Sequence, residues 1–167
     1  MKFFTPELYV RLQQTDGGAM DAADAEWDAA AANYDRQLAA LRDKLPVSAL
    51  KLLDAPGLHD AEVLWMGQAG PFFAILLKLD LPPQSTLLLT YRTVCKVDLN
   101  HNSFPAEFRS SQMQWLYDEI DVGGEAGSFR HSILFSSGVE LKIEASEVQS
   151  AVVDTFYSPL APSKVPA

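Results

Sequence analysis

Apolar residues at Trp27, Ala30, Ala31, Tyr34, Leu38, Leu41 and Leu45 recur at spacings of three and four. That spacing draws one stripe along a helix and predicts an amphipathic helix over 21–45. The stripe is expected to bury Trp27, Tyr34, Leu38 and Leu41 against a sheet. Asp21, Asp24, Glu26 and Asp28 crowd the first half, and Arg36, Arg42 and Lys44 the second. Acids near the N-terminus and bases near the C-terminus complement the helix dipole. Ahead of it, Thr5-Pro6 reads as a cap followed by proline at the first helical position. This opens a short helix expected to stop at Gly17-Gly18. Pro46 ends the long helix and opens a third, with Val47, Leu50 and Leu53 on one side.

Beyond Gly57 the period falls to two, the mark of strands. Residues 61–67 and 71–80 flank a turn expected at 67–70, which predicts a hairpin. Residues 85–99 alternate throughout, with Leu87, Leu89, Tyr91, Thr93, Cys95, Val97 and Leu99 on one side. A strand so long is expected to bend around a core. A polar loop follows over 100–112, a length common in functional or mobile loops. Three further strands are predicted within 113–122, 128–136 and 139–146, and 147–157 forms either a last strand or a short helix. The pattern predicts an α+β fold, with N-terminal helices packed on one face of a largely antiparallel, curved β-sheet. It fits a single domain over 1–157, helical over 1–57 and sheet over 58–157, with a flexible tail over 158–167.

Composition narrows the setting. Of 167 residues 48% are hydrophobic, enough for a core, and the one cysteine excludes an intrachain disulfide. No apolar run has the length of a membrane span or a signal peptide, so a cytoplasmic protein is expected. The formal charge of −9, with no cluster of Lys or Arg, argues against nucleic acid and anionic membrane as partners. The charge serves solubility and also suits a basic protein partner.

Chemistry-bearing residues are few. The chain has no G-x-G-x-x-G, P-loop, G-x-S-x-G, C-x-x-C or H-E-x-x-H pattern, which points away from an enzyme. Cys95, mid-strand on the apolar side, reads as a small buried hydrophobe. Alternation puts Asp118 on the face of Leu116, Ile120 and Val122, and Glu119 with Asp121 on that of Trp115 and Tyr117. His131 shares a face with Phe129, Ile133 and Phe135. His59, Asp60, Glu119 and His131 form the candidate polar cluster. A histidine beside a carboxylate can act as a base, and two of each can bind a divalent metal. The simpler reading makes each a satisfied polar group, with His59-Asp60 a joint whose carboxylate accepts backbone N–H bonds. No metal and no cofactor is expected. Trp65, Phe73, Tyr91 and Trp115 either pack the core or line a pocket.

The segments MKFFTPELY at 1–9, LHDAEV at 58–63, LYDEIDV at 116–122 and FRHSILFSSGVELKIEAS at 129–146 together resemble an uncharacterised family of bacterial proteins of unknown function. The resemblance implies a helical N-terminus followed by a sheet, and a cytoplasmic setting, but no activity. It draws attention to His59, Asp60, Glu119 and His131, which fall inside the matching segments. The loop at 100–112 departs from the pattern. The leading expectation is a non-enzymatic binding or protein-interaction module, immunity-like, covering a basic partner. Two alternatives stay open. One is a small hydrolase or metal-binding protein using His59, Asp60, Glu119 and His131. The other is a carrier of a small apolar ligand.

Overall fold

The computed structural model describes residues 1–14, 17–55, 57–80, 85–101 and 103–153. The tail expected over 158–167 lies outside them. Three N-terminal helices, α1 (Pro6–Leu12), α2 (Gly17–Leu41) and α3 (Val47–Leu53), precede the strands. Thr5 caps α1, its hydroxyl accepting from the N–H of Leu8. Gly17 and Gly18 open α2 instead of following α1, which already ends at Leu12. A 3-10 turn at Arg42–Lys44 separates α2 from α3.

Seven strands follow: β1 (Glu62–Ala69), β2 (Phe72–Lys78), β3 (Thr86–Thr93), β4 (Asp98–Asn100), β5 (Trp115–Val122), β6 (Phe129–Phe135) and β7 (Glu140–Val153). They form one antiparallel sheet in the order β1-β2-β3-β7-β6-β5, with β4 also paired to β7. The sheet curls into a half-barrel whose outermost strands meet at one end. There, Asp60 N–H donates to Trp115 O (2.8 Å), Trp115 N–H to Ala61 O (2.9 Å) and Val63 N–H to Met113 O (2.8 Å).

The β1–β2 turn is shorter than expected. β1 runs on through Gly67 and Gln68, and the turn is Gly70-Pro71 alone, with Gly70 at φ +57°. Positive φ at the first turn residue matches the right-handed twist of the flanking strands. The long alternating segment is interrupted at 94–97, so β3 and β4 lie end to end along β7. This break puts Cys95 and Leu99 outside, and the cysteine is exposed, not a buried hydrophobe. Residues 139–146 and 147–153 merge into the single 14-residue β7.

Two cores result. Ile75, Leu77, Leu89, Phe129, Ile133, Leu141 and Ile143 fill the inner face of the curl, where Ala49 and Leu52 of α3 join them. Leu116, Leu134 and Phe104 form a second core on the outer face of β5 and β6, covered by Tyr9 and Val10 of α1. The helices therefore occupy both faces of the sheet, not one. Phe104, 2% exposed and stacked on Tyr9 at 5.0 Å, pins the 100–112 loop to this second core. Of the expected stripe, Tyr34 is buried within α2, and Leu45 is buried beyond its end. Trp27, Leu38 and Leu41 are half-buried, and Trp27 packs against Phe4 and Tyr117. Among the described residues, no helix is long and apolar enough to cross a membrane.

Candidate functional site

The register of β5 against β6 shifts between Trp115 and Tyr117. One extra residue at a bulge moves the side chains before it to the opposite face. Trp115 thus turns inward beside Asp118, while Leu116 and Glu119 turn outward. Strict alternation had put Trp115 with Glu119 and Leu116 with Asp118, and the bulge reverses both pairings. Trp115 Nε1 donates to Asp118 Oδ1 at 3.0 Å. The other oxygen, Oδ2, lies 3.0 Å from His131 Nε2, and His131 Nδ1 lies 2.9 Å from the Tyr91 hydroxyl. Four side chains from three strands form one chain of contacts.

The carboxylate of Asp118 only accepts, which assigns a proton to His131 Nε2. Burial pushes the Tyr91 phenol well above its ordinary value, and the Asp118 charge adds to that. Tyr91 keeps its proton and bonds Nδ1, and Nε2–H donates to the acceptor-only carboxylate of Asp118. Tyr91, His131 and Trp115 are all 0% exposed. Neither ring of the Tyr91–His131 pair offers an atom to a substrate, whereas the Asp118 side chain is 25% exposed.

Asp118 reaches solvent between β5 and the end of α3. Two side chains replace a missing neighbour strand along β5. Tyr34 of α2 accepts from Ile120 N–H at 2.7 Å, and His59 Nδ1 contacts Leu116 O at 2.5 Å. Burial raises the Tyr34 phenol above its ordinary range. The Ile120 N–H opposes that shift, and the nearby charges of Asp118, Glu119 and Asp121 reinforce it. Between these props lies a cleft of about 330 Å³, with Asp118 in its lining and Leu52, Leu53 and Leu58 among its walls.

The four residues of the candidate cluster do not share one site. His59 lines the cleft with Asp118, and His131 lies behind that carboxylate. Asp60 is turned to the other side, in a shallow depression with Glu62, Lys78 and Asp80. Its carboxylate is 56% exposed and 3.5 Å from His59 Nε2, and among the described residues no backbone N–H donates to it. The joint is instead made by the Asp60 backbone, whose φ of +65° is the one left-handed non-glycine value among the described residues. Glu119 faces outward and holds the chain start. Its Oε2 accepts from Lys2 N–H, and Oε1 from Phe3 and Phe4 N–H, each at 2.7 Å. The Met1 ammonium pairs nearby with Glu140.

The aromatic set divides as well. Phe73, Tyr91 and Trp115 are packed into the inner core. Trp65 lies on the outer face, 54% exposed, its ring over Gly67. Among the described residues, no group of three or more His, Cys, Asp or Glu is placed to hold a metal ion. Asp118 and Tyr34, which frame the cleft, escaped the sequence reading as partners of His131 and β5. The only available signal was the crowding of Tyr117, Asp118 and Glu119 beside Trp115, whose faces depend on the bulge. Comparison with protein-family models and with curated proteins finds no match, so the resemblance stated above rests on its short motifs alone.

Proposed function

We propose that the chain is a non-enzymatic, cytoplasmic binding module of immunity-like kind. Its partner is a protein segment that presents an apolar side chain next to Lys or Arg. The supporting observation is the outer face of β1, β2, β3 and β7. Pairing aligns Trp65, Leu76, Leu88 and Ala151 side by side across four strands. The described helices pack on β5, β6 and β7, and Trp65, Leu64 and Phe72 stay exposed at 54%, 46% and 40%. Exposed apolar side chains gathered on one face mark interaction surfaces. Tryptophan in such a patch supplies large contact area at low entropy cost.

Charge favours a basic partner. At one end of the apolar row, Asp60, Glu62 and Asp80 share a depression with a single cation, Lys78. The whole chain carries −9. Such a field speeds encounter with cations and repels nucleic acid and a second copy of the chain.

The test uses synthetic peptides in which leucine or phenylalanine is followed by two arginines, and matched peptides carrying glutamates. Binding is followed by tryptophan emission. The arginine peptides are expected to bind, to weaken with salt, and to lose about tenfold or more in affinity on Trp65→Ala. No binding of the arginine peptides, or binding that ignores Trp65→Ala, overturns the proposal.

A further inference from the structure

We propose that the cleft between β5 and the end of α3 binds a small organic ammonium, with Asp118 as its counter-charge. This site lies apart from the outer face of the sheet and does not depend on the role proposed for that face. Its volume, about 330 Å³, falls within the range of small-molecule pockets.

Asp118 decides the charge of the ligand. Each of its oxygens takes one donor from the protein, Trp115 Nε1–H on Oδ1 and His131 Nε2–H on Oδ2. Each carboxylate oxygen has two lone pairs, so one on each is left for a guest. Both His131 nitrogens are engaged, Nδ1 with Tyr91 and Nε2 with Asp118, so the buried ring orients the carboxylate and does not itself reach the cleft. Among the described residues, the cleft lining contains no Lys or Arg. A carboxylate that is three-quarters covered in such a lining attracts a cation. Tyr34, on the cleft wall, feels the same negative field from Asp118, Glu119 and Asp121.

The walls decide the body of the ligand. Leu52 and Leu58 are 5% and 8% exposed, and Leu53 is half-buried beside them. They favour an apolar group of a few carbons. The rings of Tyr34 and His59 lie along the same lining, and an aromatic face adds attraction for a cation. An anion would be repelled by Asp118. A neutral apolar molecule would gain the walls and strip water from a carboxylate without replacing it.

Isothermal titration with benzylammonium, benzyl alcohol and benzoate tests the assignment. Benzylammonium is expected to saturate one site and to bind about tenfold or more tighter than benzyl alcohol. Benzoate is expected not to bind. Asp118→Asn keeps the size of the side chain, removes its charge and should abolish the preference for the ammonium. Leu53→Arg, on the half-buried wall, places a cation in the cleft without touching the network and should abolish binding. Near-ultraviolet circular dichroism checks that each variant is folded, and if Asp118→Asn is not, Leu53→Arg decides. The assignment is overturned if the parent protein shows no saturable binding up to about 10 mM, a limit that already allows very weak complexes. Equal affinity for the alcohol, or undiminished binding in either folded variant, overturns it too.

Discussion

Asp60 offers a clean separation between a turn held by a side chain and a turn held by the backbone. Its φ is +65°, and in that conformation its N–H reaches Trp115 O while Trp115 N–H reaches Ala61 O. These bonds close the half-barrel at one end. An ordinary L-residue in the left-handed region loses about 1–2 kcal/mol, and aspartate tolerates the region better than most. Glycine has no such penalty but gives back about 0.5–1 kcal/mol through a freer unfolded chain. Asp60→Ala is therefore expected to destabilise by about 1 kcal/mol, and a β-branched Asp60→Val by about 2 kcal/mol. Asp60→Gly should stay within about 0.5 kcal/mol of the parent. Urea midpoints at unchanged m-value measure all three differences. If the carboxylate were instead the hydrogen-bond acceptor that fixes the turn, Gly and Ala would fall together by about 1–3 kcal/mol. A glycine variant as unstable as the alanine variant refutes the backbone account.

Other outcomes follow from the same contacts. Glu119→Ala removes the acceptor of three backbone N–H groups and should cost about 3 kcal/mol, while Glu119→Gln, which keeps one acceptor oxygen, should cost about half as much. Equal thermal melts for parent and Glu119→Ala would show that residues 2–4 are not anchored there. Tyr91→Phe leaves His131 Nδ1 without a partner in a fully buried position and is expected to lower stability by about 1–3 kcal/mol. An unchanged denaturant midpoint would remove Tyr91 from the network. In alkali, Tyr34 and Tyr91 keep their protons in the folded state, while in the unfolded chain they lose them near pH 10. The folded state then binds more protons, so stability is full below about pH 10 and falls as pH rises beyond it. Denaturation followed from neutral to strongly alkaline pH checks the sign, and rising stability there contradicts it.

The local signals along this chain were strong where one segment decides its own structure. Thr5-Pro6 started α1, Pro46 preceded α3, and alternation marked the strands, because capping, proline geometry and side-chain period act within a few residues. The antiparallel α+β class followed from those elements and the short turns between them. Boundaries moved where propensity met a longer-range demand. Gly17-Gly18 read as a helix break and instead open α2. The 85–99 alternation read as one strand and is split at 94–97, where the line of pairing along β7 passes from β3 to β4.

The candidate cleft depended almost wholly on tertiary structure. A strict period of two assigns Trp115 and Asp118 to opposite faces, and one unpaired residue at the β5 bulge reverses that. Which strand forms such a bulge depends on its partner, and the partner of β5 is known only once the sheet is assembled. Tyr34 and His59 reach β5 from 86 and 57 residues away along the chain. Their role exists only because the curl leaves an edge of β5 unpaired. The sequence by itself therefore determined the kinds of element and the charge of the surface, which depend on neighbouring residues and on composition. The sheet's closure decided which polar groups were buried together and which single carboxylate was left at the opening, because both depend on distances between segments that no local pattern records.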